Sequence, residues 1–325
     1  MTKISFIVVA YNAAQSLDAL LGDLLAQTVD PRQLEALLVD SASTDDTAQI
    51  MRHFAERAPF EVKLLENPKR WLACGINVAL RAATGDAIIR LDAHARMPKD
   101  FLQKNLDALA RVGGSVIGAD PDNAWEAVTR ALDTSRFCGG AAPFRNGGEA
   151  RYVDTLAYAL YRREVYDRVG FYDERLRRTE DNDMHYRMRK AGYRFYFSPD
   201  IVSWHAARKT LRGQLSQKWG NGYWIGRTMR IQPRCFAPRH LVPALFVLAL
   251  IALLLLLPLC RWPLLTMLTL YGALDLFFAA KSALEAPRGK LLTFICLPFL
   301  FPVVHIVYGA GTLCGLLAGK AQPHA

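Results

Sequence analysis

Ile88-Ile89-Arg90-Leu91-Asp92-Ala93-His94 is the stretch that decides the fold. It is an apolar, strand-like run that ends in a carboxylate and an imidazole two residues apart. Positions i and i+2 of a strand face the same way, so Asp92 and His94 are expected to present two metal-binding groups together at the mouth of a sheet. Polar groups at the carboxyl end of a buried strand are where open α/β sheets hold their ligands. The alternative is a strand that simply runs into a solvated turn. The rest of the chain discriminates between the two.

Working outward, the first ninety residues alternate between strand and helix patterns. Ile4 to Ala10 is a continuous apolar run, as suits a parallel strand buried on both faces. Helical sequence follows from Ala14 to Gln27, and a second strand runs from Leu34 to Val39. Asp40-Ser41-Ala42-Ser43-Thr44-Asp45-Asp46-Thr47 is rich in turn and capping residues and opens a helix over Thr47 to Arg57, with Asp45 and Asp46 assigned to the cap. Val62 to Glu66 predicts a third strand, Ile76 to Ala83 a helix, and Ile88 to Leu91 a fourth strand. This rhythm predicts an α/β fold, a mostly parallel sheet with helices on both faces. Tyr11-Asn12-Ala13-Ala14 follows the first strand where a dinucleotide-binding fold has G-x-G-x-x-G, and no G-x-x-x-x-G-K-[ST] occurs. An NAD enzyme and a P-loop NTPase are therefore not expected.

Charge divides the 325 residues unevenly. The net charge is +10, and beyond Asp200 there are thirteen Lys or Arg against only Asp275 and Glu285, so the first 200 residues are close to neutral. A basic excess beside very apolar sequence points to a membrane surface. There is no aromatic-basic RNA-binding signature and no zinc-finger spacing, and nucleic acid is not an expected partner. His240 to Cys260 carries no charge after its leading histidine. At about 1.5 Å per residue it is long enough to cross the hydrocarbon core. Trp262 to Ala280 is interrupted only by Asp275, and Leu291 to Leu317 contains Pro298, Pro302 and His305. These give three expected transmembrane helices, 240–260, 262–280 and 291–317, the third kinked, tilted or partly re-entrant. Asp275 inside a span is expected to be a functional or packing residue, the alternative being a hydrogen bond to Tyr271 or to another helix.

Arg227, Arg230, Arg234 and Arg239 precede the first span, while Lys281, Arg288 and Lys290 separate the second from the third. Positive loops stay cytoplasmic, which predicts a multi-pass protein of the bacterial plasma (inner) membrane with its N-terminal domain, 1–204, in the cytoplasm. No N-terminal signal peptide is expected. The six cysteines show no C-x-x-C pairing and are expected to be reduced. Between domain and spans, 205–239 is a basic, aromatic interfacial segment that holds Lys218, Trp219, Tyr223 and Trp224.

Four ordered segments carry a family resemblance. Val8-Val9-Ala10-Tyr11-Asn12, Val39-Asp40 through Thr47, Arg90-Leu91-Asp92-Ala93-His94 and Thr179-Glu180-Asp181-Asn182-Asp183 through Arg194 resemble the motifs of family 2 glycosyltransferases with a GT-A fold. Val112-Gly113-Gly114, Val153-Asp154-Thr155 and the apolar tail resemble the ExoA-type branch, named for a succinoglycan-assembly glucosyltransferase. The resemblance implies a nucleotide-sugar-dependent hexosyltransferase, with Tyr11 and Asp40 on the nucleotide and Asp40 accepting from the uracil N–H. Asp40 otherwise reads as a turn or N-cap aspartate. It implies that Asp92 holds a divalent ion, Mn²⁺ or Mg²⁺, against the diphosphate. His94 stands where many relatives carry a second aspartate, which favours Mn²⁺, since imidazole suits softer metals. His205 matches a histidine that completes the metal site, or it packs beside Trp204.

By the same resemblance Asp181 is the general base that deprotonates the acceptor hydroxyl, beside Glu180 at the substrate. The alternative is an acidic helix N-terminus stabilised by the dipole, with Asp183 and Arg187 as an i,i+4 ion pair. A single base opposite the leaving group implies inversion. Gln217-Lys218-Trp219 loosely resembles the Q-x-x-R-W element of processive relatives, placing Lys218 and Trp219 on acceptor or diphosphate; membrane docking is the alternative. Residues 119–150 are the expected acceptor-facing part. Three function classes follow. The first transfers a sugar, glucose from UDP-glucose being the expectation, to a polyprenyl-diphosphate-linked glycan in exopolysaccharide assembly. The second loads polyprenyl phosphate directly. The third is a non-catalytic scaffold for other polysaccharide-assembly proteins.

Overall fold

The computed structural model describes residues 2–108, 115–118, 123–138, 148–205 and 210–319. The chain divides into two units, Met1–Gly118 with Pro143–Ala206, and Ala119–Ala142 with Ala207–Ala325.

The first unit is built on strands β1 (Ile4–Ala10), β2 (Leu34–Asp40), β3 (Glu61–Glu66), β4 (Ala87–Asp92) and β8 (Leu160–Arg162), in the order β3-β2-β1-β4-β8. The first four are parallel, and β8 is antiparallel to β4. Two small sheets complete it: β5 (Ala95–Arg96), β10 (Val202–His205) and β6 (Ser115–Gly118) in the order β5-β10-β6, and the pair β7 (Arg151–Val153) with β9 (Phe195–Phe197). Every residue of β1 except Val9 is buried, as a strand covered on both faces requires. Ile4, Phe6 and Val8 pack with Leu17, Leu20 and Leu21 of α1 (Ala14–Leu25) and Met51 and Phe54 of α2 (Thr47–Arg57). On the other face Ile7, Leu37 and Val39 join Ile76 and Leu80 of α3 (Leu72–Ala82). Helix α4 (Phe101–Asp107) follows β5 and α6 (Arg163–Val169) follows β8. Met184 and Met188 of α7 (Glu180–Lys190) pack into the same cluster as Ile7.

One buried charge ties the amino-terminal edges of the strands. Glu35 accepts from Ser5 Oγ at 2.5 Å, Thr84 N at 2.6 Å and Lys63 Nζ at 3.1 Å. Burial pushes its carboxyl up, but these donors outweigh that and hold it well below the usual carboxylate range.

The second unit contains α5 (Ala124–Thr134), α8 (Leu211–Met229), α9 (Val242–Leu256), α10 (Trp262–Glu285) and α11 (Lys290–Leu317). Residues Pro238–Leu256, Trp262–Glu285 and Lys290–Leu317 are long and apolar enough to cross a membrane. The third is one continuous helix that accommodates Pro298 and Pro302. Val128, Ala131 and Leu132 of α5 pack against Ala279, Leu297 and Phe301. The sequence-based boundaries at 204 and 239 therefore differ from the observed division. The apolar face of α5 belongs with the C-terminal helices, and α8 packs on α11. Helix α8 meets α11 backbone to backbone: a Cβ at Gly222 or Gly226 would overlap the carbonyl oxygen of Tyr308 or Thr312, and one at Gly315 that of Tyr223.

Phe137 stacks on Phe278 at 5.1 Å and meets Phe301 edge-on at 5.3 Å. Its carbonyl accepts from His305 Nε2 at 2.8 Å, which leaves Nδ1 to accept from the Tyr271 hydroxyl at 2.9 Å. Tyr271 is thus engaged by His305, and Asp275 Oδ1 is buried with no hydrogen-bond partner among the described residues.

Candidate active site

The strand order places a topological switch between β1 and β4: the chain proceeds outward through β2 and β3, then returns to the other side of β1. The crevice beyond the carboxyl ends at such a point is the expected ligand site of an open α/β sheet. Ala10 is level with Asp40 of β2, and Val9 with Asp92 of β4. Asp40 and Asp92 therefore flank the end of β1, two strand spacings or about 10 Å apart.

The loops at this edge are laced together. Asn12 N donates to Ser43 Oγ at 3.0 Å, and Asn12 Oδ1 accepts from Thr44 N at 2.8 Å. Ser43 N donates to the Asp40 carboxylate at 3.3 Å, while Asn67 Nδ2 donates to Ser41 Oγ at 2.9 Å. Asp45 accepts from Thr47 N and from Ala14 N, both at 3.1 Å, so it ties the starts of two helices. Asp46 occupies the N-cap position of α2 but its side chain makes no capping bond, contrary to the expected role.

Four described non-glycine residues have positive φ: Asn12 (47°), Ala42 (57°), Arg70 (63°) and Tyr158 (52°). The first three lie in the loops that follow β1, β2 and β3. Tyr158 donates to Asp92 Oδ2 at 2.8 Å. Such conformations cost of order 1–3 kcal/mol each, and they collect where a site must be held in shape. Tyr11 is half exposed, with the Arg70 guanidinium 5.8 Å from its ring centroid. Arg70 escaped sequence reasoning because a basic residue in a turn carries no pattern.

Asp92 ends β4, and Ala93-His94 form a turn before β5. The period-2 argument that paired Asp92 with His94 therefore fails, since the backbone turns between them. His94 is exposed on that turn. The backbone of His205 pairs with Ala95, one residue after His94, while its side chain lies outside the described residues. Residues 112–114, 119–122 and 139–147, which hold Val112-Gly113-Gly114 and much of the expected acceptor-facing loop, also lie outside them.

Among the described residues no cluster of three or more His, Cys, Asp or Glu could hold a metal by itself. Asp92, with its side chain 29% exposed at the crevice and a histidine two residues on, nevertheless fits an ion that takes most of its ligands from diphosphate and water.

Helix α7 delivers the second carboxylate. Glu180, Asp181 and Asp183 fill its first turn and Arg187, Arg189 and Lys190 its last, as the helix dipole favours. The expected Asp183–Arg187 ion pair is present at 2.8 Å, and Arg187 also donates to the Val169 and Phe171 carbonyls. Asp181 points to the end of the sheet, where its Oδ2 accepts from Arg90 Nη2 at 2.9 Å. Arg90 Nη1 lies 3.5 Å from Asp92 Oδ1. Glu180 is buried, and its carboxyl is pushed up to about 7 by that burial and by the neighbouring Asp181. His185, behind it, contacts Thr155 Oγ1 at 2.9 Å and Tyr161 Oη at 2.8 Å, and burial lowers its imidazole to about 4.

Lys218 and Trp219 belong to the second unit. Lys218 pairs with Asp133 at 2.6 Å, and Trp219 is partly exposed on α8.

The family model for glycosyl transferase family 2 matches residues 5–170, which include the crevice, Asp40 and Asp92. The chain belongs to glycosyl transferase family 2. This family 2 member is a nucleotide-sugar-dependent glycosyltransferase. It is 28% identical over 320 residues to the succinoglycan biosynthesis protein ExoA of Rhizobium meliloti (strain 1021), covering 95% of this chain and 94% of that one. It is 23% identical over 336 residues to the dolichyl N-acetyl-alpha-D-glucosaminyl phosphate 3-beta-D-2,3-diacetamido-2,3-dideoxy-beta-D-glucuronosyltransferase of Methanococcus voltae, with 99% of each chain covered. The fold matches that of the mannosyltransferase PcManGT from Pyrobaculum calidifontis, solved with GDP-Man and Mn²⁺. The TM-score is 0.65 at 23% identity, over 96% of this chain and 87% of that one.

Proposed function

We propose that this glycosyltransferase transfers a sugar with inversion, glucose from UDP-glucose in the leading case, to a polyprenyl-diphosphate-linked glycan of exopolysaccharide assembly. The observation that carries this reading is the pair of carboxylates, Asp92 and Asp181, brought from a strand end and a helix start to one guanidinium at the switch-point crevice. Asp40 and Tyr11 bind the nucleobase at the ends of β2 and β1, and Arg70 lies close enough to the Tyr11 ring to join them. Asp92, with His94 and His205, would hold a divalent ion, Mn²⁺ before Mg²⁺, which neutralises charge on the departing diphosphate when bound. Asp181 accepts the proton of the attacking hydroxyl, and Glu180 borders the same substrate. Attack from the side opposite the diphosphate inverts the anomeric carbon, so an α-linked donor yields a β-linked product.

The domain faces the cytoplasm, and the three apolar helices keep it at the inner membrane, where a lipid-linked acceptor is presented. That Lys218 is neutralised by Asp133 favours a packing role for it over direct acceptor contact, while the exposed Trp219 suits the lipid headgroup layer. Asp181→Asn is expected to abolish transfer while UDP-sugar binding persists, and Asp92→Ala to lose metal-dependent binding. Near-normal turnover by Asp181→Asn would refute the base assignment.

A further inference from the structure

Arg90 stands in a strand that is otherwise apolar up to its terminal carboxylate. Ile88, Arg90 and Asp92 share one face of β4 by the period of the strand, and Ile88 on that face packs with Met184 of α7. The guanidinium is thereby turned toward the start of α7. Its side chain is only 13% exposed, and its two terminal nitrogens are used unequally. Nη2 makes a hydrogen bond of 2.9 Å to Asp181, whereas Nη1 is buried, makes no hydrogen bond among the described residues, and stands 3.5 Å from Asp92. A buried guanidinium with one spent and one unspent arm between two carboxylates is costly unless both charges compensate it.

We propose that Arg90 is a positioning residue with two duties: it holds Asp181 in place as the base, and it occupies Asp92 loosely enough to yield that carboxylate to a divalent cation. The proposal rests on the glycosyltransferase reading above. The tight arm fixes the orientation of Asp181, whose own helix supplies no side-chain cap at Thr179. The loose arm offsets the Asp92 charge before the cation arrives and opposes the cation electrostatically once it does. Removing the guanidinium therefore has opposite effects on two measurable quantities. Turnover falls, because the base is no longer held, and cation binding strengthens, because a positive charge near the ligand has gone.

The test uses full-length protein in detergent, with Arg90→Met and Arg90→Lys compared to wild type. Binding of Mn²⁺ in the presence of UDP is followed by titration calorimetry, and UDP release from the sugar donor gives kcat and KM. Arg90→Met is expected to lower kcat about 100-fold, as loss of catalytic geometry does, with donor KM unchanged and Mn²⁺ binding several-fold tighter. Arg90→Lys restores the charge without the two-armed reach, so its Mn²⁺ affinity returns to the wild-type value while kcat recovers only in part. A merely structural arginine would weaken Mn²⁺ binding and turnover together in both variants, and that result overturns the proposal. So does an Arg90→Met enzyme with turnover within three-fold of wild type. A wild-type protein that binds no UDP and turns over no donor would overturn the glycosyltransferase mechanism first and this inference with it.

Discussion

Glu180→Gln tests the electrostatics of the crevice through stability, independently of turnover. Glu180 is 4% exposed, its Oε2 has no hydrogen-bond partner among the described residues, and Asp181 is its neighbour in sequence. Burial first, and the Asp181 carboxylate second, push its carboxyl from the ordinary 4.5 to about 7, with Arg90 opposing. The folded chain therefore binds a proton that the unfolded chain has released between these two values. The stabilisation from this proton is fully present below pH 4.5 and is lost as pH rises through about 7. The whole gap corresponds to roughly 3 kcal/mol. Glutamine has nearly the same shape and no such proton, so the variant should gain on wild type by up to that amount between pH 5 and pH 8.5. Unfolding followed by tryptophan fluorescence in detergent at the two pH values measures it. The melting temperature of Glu180→Gln relative to wild type should rise by several degrees at pH 8.5. An offset that is the same at both pH values, or one that moves against glutamine at alkaline pH, would show that Glu180 does not carry a raised carboxyl in the folded chain.

Two other predictions concern the buried histidine and the helix bundle. His185 is lowered to about 4 by burial, so the unfolded chain takes up a proton there that the folded chain refuses, and stability is lost as pH falls from about 6.5 toward 4. Between pH 7 and pH 5 this amounts to roughly 2 kcal/mol, and His185→Gln should shrink the acid loss by that much in the same unfolding measurement. In the second unit, Gly315→Leu places a side chain on the Tyr223 carbonyl and should separate α8 from α11. Limited proteolysis within 210–239 should then speed at least ten-fold, whereas Gly319→Leu, which meets nothing within 4 Å, should leave it unchanged.

The middle of the sheet was legible because β1, β2 and β4 are largely buried and read as mostly apolar runs, whereas the edge strand β3 is partly exposed and carries charged residues. Ile4–Ala10 and the helix Thr47–Arg57 match their expected bounds, and the other early elements differ by a few residues at their ends. Asp181 was legible as a helix-start acid, and the Asp183–Arg187 pair from its i,i+4 spacing. His94 was misread geometrically because strand periodicity was carried two residues past the end of β4, into a turn. Arg90 was passed over for the opposite reason: it is the residue two positions before Asp92 that shares its face, and a charged side chain inside an apolar strand is itself a signal of a buried partner. The docking of α5 on the C-terminal helices had no local signature, since its apolar face reads like that of any amphipathic helix. Long-range pairing chose its partner. Pro298 and Pro302 pointed to a kinked, tilted or partly re-entrant third span, and α11 runs as one helix through both.

The most direct test of the central claim is nucleoside diphosphate release by detergent-purified protein over a panel of UDP- and GDP-sugars. Mn²⁺, Mg²⁺ or EDTA would be present, with and without a bacterial lipid extract. Turnover of a single donor is expected, requiring the divalent ion and rising when lipid is added, with Asp181→Asn silent beside it. Full turnover in EDTA would contradict the role given to Asp92, and no release together with no nucleotide binding would contradict the proposed reaction itself.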